Sequence, residues 1–287
     1  MASLKEIKGR IGSVKTTLKT TSAMKMVASA KLHKAQGAAE RCSLYESQLH
    51  DILAAAGSCA PAMSAAAEER TPANAVALVA LSSNSSLCGA FNGNVIKAAK
   101  AELARLRSKG VEIKLYAVGK KMAEAMAKEG LRSDRDYSHM AGNPSYAEAS
   151  ALAQELIGLY ESGKVDEVIL VYSHLVSTAN QTPVVETYLP YTGSASGSES
   201  RDLSDFIIEP SPAELLEELQ PKVLRLKIYT MLLDCAAAEH AARTVAMQTA
   251  TDNGESILAE LTLEYNKGRQ QKITSEILDL VGGSMQQ

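Results

Sequence analysis

The chain has 287 residues, enough for one large or two small domains. No apolar run approaches the roughly 18 residues of a membrane span, which excludes a transmembrane protein and leaves membrane attachment to partners. Its four cysteines are scattered without CxxC spacing, which argues against a zinc site and a disulfide framework and favours reduced thiols. Aromatics are scarce, with no Trp and two Phe, which suits helix packing better than a thick core.

An apolar stripe at heptad spacing begins the chain. Its members follow one another in steps of three and four residues, interrupted only at Lys25: Leu4, Ile7, Ile11, Val14, Leu18, Thr21, Ala28, Leu32, Ala35, Ala39 and Cys42. Residues 3–57 contain no proline. This pattern predicts a long helix whose seam packs against a partner helix, as in a coiled coil.

The same segment is strongly basic. Residues 1–41 hold nine Lys or Arg against two Glu. A basic, Ser- and Thr-rich start is also typical of a transit peptide or of a helix that coats nucleic acid or membrane. The heptad continues through any plausible cleavage point, and no aromatic anchor precedes Tyr45, so both readings are disfavoured.

Strand and helix signals alternate in the middle of the chain. Strands are predicted at 75–81, where AVALVAL is apolar throughout, and at 111–119, 166–173 and 183–190; helices are predicted at 95–108, 120–128 and 145–162. Such alternation implies a parallel sheet covered by helices on its faces. Prolines bound the fourth strand, which places it at an edge.

A second heptad stripe follows a low-complexity connector at 193–204. Ser211 and Pro212 fit the N-cap and first residue of a helix that runs to about residue 284. The stripe contains Leu219, Val223, Leu226, Thr230, Leu233 and Ala237. Residues 209–287 hold twelve Asp or Glu against seven Lys or Arg, so their charge complements that of the basic first helix.

The predicted fold class is therefore α/β, with a long antiparallel coiled coil of the N- and C-terminal helices and an inserted Rossmann-like α/β domain. The predicted boundaries are 1–57 for the first helix, 73–192 for the α/β domain, 193–211 for a connector and foot, and 212–287 for the last helix.

Catalytic signals are thin. The loop at 82–94 follows the first strand, where α/β proteins usually bind ligands, but it matches neither GxGxxG nor the P-loop pattern. Cys88 could act as a nucleophile only beside a base such as His174, and a structural cysteine is favoured. The histidines show no metal spacing. The sequence thus predicts no catalytic residues, no metal and no cofactor.

Two stretches at the chain ends resemble a known family. KEIKGRIGSVKTT…SAMKMVASAKLHKA (5–35) is similar to the N-terminal helix of the γ subunit of the F-type ATP synthase. AARTVAMQTATDNGESILAELTLEYNKGRQQKITSEILDLVGG (241–283) resembles that family's C-terminal signature. The middle departs from it, because Asn84, Ser85 and Ser86 stand where the family commonly reads Asp-Arg-Gly.

The resemblance implies a central rotor stalk in a proton-translocating motor. Its partners would be three α and three β subunits, the ε subunit and the c ring, with catalysis on β and no nucleic acid. The location would be the cytoplasmic face of the bacterial inner membrane, where the chain would couple c-ring rotation to the β sites and regulate ATPase activity and proton flow. Implied contacts with the α/β ring are Met24, Lys25, Arg243, Arg269, Gln270, Thr274 and Glu276, and implied foot contacts with the c ring are Phe206 and Glu209.

Two other classes of function remain open at this point. A coiled-coil scaffold could bind partner helices without rotating, and a small α/β enzyme could use the loop at 82–94. Co-purification with a ring of ATPase subunits separates the rotor from the scaffold. Activity of the isolated chain on nucleotides would favour the enzyme.

Overall fold

The computed structural model describes residues 3–59, 74–191, 209 and 211–284. They belong to two compact units, one made of the residues up to Ala28 and from Arg243 onwards, the other of Ser29–Ala242. The first helix, α1 (Leu4–Cys59), and the last, α6 (Pro212–Ser284), contribute to both units, and we call them the helical pair.

In the sequence, the segment between these two helices forms a four-stranded sheet and four shorter helices. We call this segment the α/β domain (residues 74–191). Its elements are β1 (Ala75–Leu81), α2 (Phe91–Ser108), β2 (Glu112–Val118), α3 (Lys120–Lys128), α4 (Ser138–Gly142), α5 (Tyr146–Glu161), β3 (Glu167–Leu175) and β4 (Gln181–Leu189). The predicted α/β class with long terminal helices is confirmed. The short helix α4 is an addition that the sequence pattern does not predict.

The strand order is β2-β1-β3-β4. β1 pairs in parallel with β2 and β3, and β4 lies at an edge as predicted. The expectation of a wholly parallel sheet is wrong, because β4 runs antiparallel to β3. Only residues 176–180 connect these two strands, and a parallel crossover needs a dozen residues or more.

Both faces of the sheet are covered. Val76, Leu78 and Ala80 of β1 pack against α2 and α3 on one face. Ala77, Val79 and Leu81 face the opposite way, towards α4, α5 and the middle of α6. Because β1 is buried on both faces, a continuous apolar run suits it better than an alternating one.

Within the larger unit, α6 is buried on two sides. One stripe of α6, which includes Val223 and Leu226, packs against Leu49 and Leu53 of α1. A second stripe meets the sheet through Leu224, Ile228, Met231, Leu232, Cys235, Ala238 and Ala242. This part of α6 is therefore shared between a helix–helix seam and the core of the α/β domain.

The two helices of the pair run antiparallel. In the larger unit Cys42 Sγ lies 3.3 Å from Thr230 Oγ1, while Leu49 and Leu53, further along α1, pack with Val223 and Leu226. The predicted start of α6 is also confirmed, since Glu214 N–H donates to Ser211 Oγ over 3.3 Å. The heptad stripes of both helices therefore form the seam that their spacing indicates.

Candidate functional site

The smaller unit is a two-helix seam with unusually close approaches. Leu18 of α1 faces Gly254 of α6, where an added Cβ would lie 2.7 Å from Leu18 Cδ2. Leu4 faces Gly268 in the same way, at 3.1 Å. In the sequence alone, Gly254 is a costly residue inside a helix without a packing reason. The structure supplies the reason, because the glycine makes room for a leucine of the facing helix.

Two of the candidate contact residues on α1 lie beside this seam. Met24 and Lys25 are half-buried, whereas their neighbours Met26 and Val27 are 64% and 58% exposed. Lys25 occupies a seam position of the heptad, with Ala28 of the same stripe buried. The exposed apolar surface at this level therefore belongs to Met26 and Val27, which sequence reasoning did not select.

Arg243 differs from the other candidates on α6. It is half-buried and already takes part in an interaction within the protein. Any contact with a partner would therefore have to add to, or exchange for, the interaction it makes now.

The remaining four candidates on α6 lie together beyond the seam. Every residue from Arg269 to Leu278 is exposed, and Gly268 just before them faces Leu4, the first residue of α1. Thr274 Oγ1 donates to the Gln270 carbonyl over 2.9 Å, and Lys272 Nζ lies 3.6 Å from Glu276 Oε1. These contacts are all within α6, and the side chains remain exposed, as a surface for an external partner requires.

The same stretch exposes apolar side chains. Ile273, Ile277 and Leu278 are 48%, 54% and 65% exposed, and the first two lie one helical turn apart. A helix with an apolar face and no covering element among the described residues is typical of a segment that meets another protein. Of the foot candidates, Glu209 is exposed, and Phe206 lies outside the described residues.

The loop after β1 caps the helix that follows β2. It accepts hydrogen bonds from the N–H groups at the start of α3: Met122 N–H donates to Ser82 Oγ (2.7 Å), Lys121 N–H to the Ser83 carbonyl (3.2 Å) and Lys120 N–H to Asn84 Oδ1 (3.0 Å). These three N–H groups are therefore not free to bind an anion.

The possible nucleophile and base each have another partner. Cys88 is buried, and its Sγ accepts a hydrogen bond from Asn92 Nδ2 over 3.1 Å. His174 Nδ1 instead donates to Asp234 Oδ2 over 2.6 Å. In the described ranges, no group of three His, Cys, Asp or Glu side chains could hold a metal ion. Nor is any helix in these ranges long and apolar enough to cross a bilayer.

Asn84 connects the loop after β1 to α3 and α4. Its replacement tests whether the loop holds these two helices in place. Its Oδ1 accepts from Lys120 N–H and its Nδ2 donates to the Ser138 carbonyl over 2.7 Å. In Asn84→Asp the first bond survives, but two acceptors then meet at Ser138, at a cost of about 1–3 kcal/mol. We expect faster hydrogen exchange at residues 138–142 and unchanged exchange in α3.

Asn84→Ala serves as the comparison, since it removes both bonds and should speed exchange in α3 as well. Equal exchange in the aspartate variant and the parent would contradict the hydrogen bond from Asn84 Nδ2 to the Ser138 carbonyl.

Comparison with known proteins extends these observations to the whole chain. A family model described as ATP synthase matches residues 3–285. The ATP synthase gamma chain of Phocaeicola vulgatus is 49% identical over 294 aligned positions, covering 99% of this chain and 100% of that protein. The gamma chain of Bacteroides fragilis is 51% identical over 290 positions, covering 99% and 100% respectively.

Solved structures show the same fold at much lower identity. The rotor of the Euglena gracilis mitochondrial ATP synthase superposes with a TM-score of 0.62 at 18% identity, covering 94% of this chain and 98% of that one. The central stalk and c-ring structure from Tetrahymena thermophila gives 0.56 at 20% identity, covering 80% and 99%. With near-complete coverage at about half identity to several curated relatives, the chain belongs to the ATP synthase gamma chain family.

Proposed function

We propose that this chain is the central-stalk rotor subunit of a proton-translocating F-type ATP synthase. The observation that carries the proposal is the end of α6, where a helix leaves its seam and exposes ten consecutive residues from Arg269 to Leu278. A rotor needs such an end, because the part that turns inside a ring must present its own surface to the ring and not to its partner helix.

In this proposal the chain is a non-catalytic subunit. Three α and three β subunits surround the helical pair, the ε subunit and c ring bind the opposite end, and the reaction takes place on β. Rotation of the c ring turns the helical pair, and its asymmetric surface changes the affinities of the β sites in sequence. The chain also regulates ATPase activity and proton flow, and it meets the membrane's cytoplasmic face only through these partners.

The exposed residues suit the two kinds of contact that rotation requires. Ile273 and Ile277 can form an apolar bearing, since each atom pair contributes only about 0.1–0.2 kcal/mol and no single contact fixes an angle. Arg269, Gln270, Thr274 and Glu276 offer directional hydrogen bonds that can hold particular angles. Met24, Lys25 and Arg243 are the other proposed contacts with the α/β ring, and Glu209 and Phe206 are the proposed c-ring contacts.

Reconstitution tests the proposal directly. The chain is co-expressed with the α, β and ε subunits of its own complex, and a bead on the α/β domain reports rotation when ATP is added. We expect co-purification in a single complex and unidirectional rotation in 120° steps, one for each of the three proposed β sites. Co-purification without rotation would favour a scaffold.

Replacing Arg269 and Gln270 together by alanine tests the ring contact. Both side chains are exposed, so the melting temperature should stay close to that of the parent. Loss of directional contacts should lower ATP synthesis by the reconstituted complex about tenfold, which corresponds to about 1.4 kcal/mol.

The matched control is Glu161→Ala with Lys164→Ala, two exposed residues of the α/β domain outside the proposed contacts. It should leave both readouts unchanged. A melting temperature that falls in step with synthesis would assign Arg269 and Gln270 a structural role instead.

A further inference from the structure

An ionic cluster joins the helical pair to the sheet in the larger unit. Lys227 of α6 places its Nζ 3.2 Å from Glu186 Oε1 of β4 and 3.8 Å from Glu46 Oε1 of α1. One cation thus bridges three elements that are distant in sequence. Among the described residues, no other ammonium or guanidinium group lies within 4 Å of either carboxylate.

The cluster is largely withdrawn from solvent. The Glu46 side chain is 11% exposed, and those of Lys227 and Glu186 are 32% and 30% exposed. Glu46 also occupies a seam position of α1, four residues after Cys42 and three before Leu49. A carboxylate in a helix seam is costly unless it is paired, so this position requires a cation from a neighbouring element.

Further polar contacts extend the cluster along α1. His50 Nε2 lies 3.9 Å from Glu46 Oε1, and His50 Nδ1 lies 2.7 Å from the Tyr191 hydroxyl just beyond β4. Burial raises the pKa of that hydroxyl to about 12, so it stays a neutral phenol. On the sheet side, burial and then Glu186 raise the pKa of the Tyr172 hydroxyl. The polar groups therefore connect α1, α6, β3 and the segment after β4.

Besides this cluster, the interface between α6 and the sheet holds hydrogen bonds. Asp234 of α6 accepts from His174 and from Leu175 N–H, and the Tyr188 hydroxyl donates to the Leu224 carbonyl.

The rest of this interface is apolar. Ile228, Met231 and Cys235 pack on the sheet through many weak, non-directional contacts. The apolar part of this interface resists separation well but resists sliding and twisting less, because its contacts have no strong angular preference. The Lys227 ammonium adds an electrostatic attraction to two neighbours at once, Glu186 of the sheet and Glu46 of α1, and so ties both helices of the pair to the sheet.

We propose that Lys227 is a positioning residue that, together with these hydrogen bonds, fixes the angle of the helical pair relative to the sheet and so carries torque between them. The inference rests on the proposed rotor function. Torque that enters through the α/β domain has to pass this junction to reach the helical pair. If this junction were more flexible, part of the torque would twist the junction instead of turning the helical pair inside the ring of catalytic subunits.

The test uses the reconstituted complex and separates stiffness from folding. Lys227→Met leaves both carboxylates without an ammonium partner. Lys227→Met with Glu46→Gln and Glu186→Gln removes these charges as well, which guards against misfolding of the first variant. Lys227→Arg retains the cation. A bead is attached through Lys109→Cys, an exposed position of the α/β domain. It reports the angular fluctuation of the α/β domain while nucleotide locks the ring of α and β subunits.

We expect a broader angular distribution and a loss of ATP synthesis of about fivefold, the lower end of coupling between sites, in Lys227→Met and in the triple variant. The triple variant should regain the parental melting temperature without regaining stiffness, and Lys227→Arg should resemble the parent. ATP hydrolysis by the detached, unloaded complex should not change, since no external load crosses the junction.

A parental angular width in the triple variant would overturn the inference, as would an equal loss of hydrolysis in the detached complex. Absence of rotation in the parent would instead count against the rotor function itself, so the two failures can be told apart.

Discussion

Replacing Gly119 with alanine is expected to lower the free energy of unfolding of the α/β domain by about 2–6 kcal/mol, from backbone strain and steric overlap together. Gly119 connects β2 to α3 with φ of +102°, a conformation that residues with a Cβ rarely adopt. The added Cβ would lie 2.2 Å from the Ser82 carbonyl oxygen and 2.8 Å from its carbon.

Ser82 has little freedom to move away from such a Cβ. Its N–H donates to the Val118 carbonyl over 2.8 Å, and its Oγ accepts from Met122 N–H over 2.7 Å. It is also 2% exposed at the end of the central strand. Relief of the overlap would therefore break the capping of α3 or the pairing of β1 with β2.

Gly130→Ala is the matched control for this prediction. Gly130 also has positive φ, at +78°, but a Cβ added there would have nothing within 4 Å of it. It should cost only about 1–2 kcal/mol for the left-handed backbone. Urea denaturation followed by circular dichroism, with hydrogen exchange of β1 and β2 peptides, gives both values. The account of Gly119 fails if its variant is no less stable than the Gly130 variant.

Elements with strong periodic or punctuation signals can be predicted from the sequence. The helix at Lys120–Lys128 has the predicted bounds, since Gly119 and Gly130 punctuate it on either side. Helix α2 begins at Phe91, four residues before the predicted start at Val95. Asn92, Gly93 and Asn94 are poor helix formers, and burial of Phe91 against the sheet outweighs their propensity.

Features that depend on distant residues cannot be predicted in this way. Helix α4 has five residues, too few for a periodic signal. The second apolar stripe of α6 is visible in the sequence, but its pattern does not say whether it meets the sheet or another helix. The packing role of Gly254 cannot be predicted either, because its partner Leu18 lies far away in the sequence.

For the candidate site, sequence reasoning finds the exposed residues of α6 but misses the ionic cluster. A signal for the cluster is present. Continuing the first heptad beyond Cys42 places Glu46 in the seam before Leu49, where a charge needs a partner. What the pattern cannot give is the identity of that partner, since Lys227 and Glu186 come from two other elements.

Gly254→Leu is the second prediction with a large expected effect. The leucine would compete with Leu18 for one space in the seam of the smaller unit, and such overpacking costs about 1–3 kcal/mol. Leu18→Ala alone should also be destabilising, by about 2 kcal/mol, because it empties that space. The double variant transfers the leucine from α1 to α6 at nearly constant volume and should approach the parent in stability.

Denaturation of the four proteins gives a coupling energy, and hydrogen exchange of peptides within residues 4–28 and 243–268 locates it in the seam. The control is Gly12→Leu, on the same seam's α1 helix, where nothing lies within 4 Å of the Cβ position. It should stabilise the helix by just under 1 kcal/mol through propensity alone. Additive effects of Leu18→Ala and Gly254→Leu would contradict the close contact, because residues that share one space must couple, typically by about 0.5–3 kcal/mol.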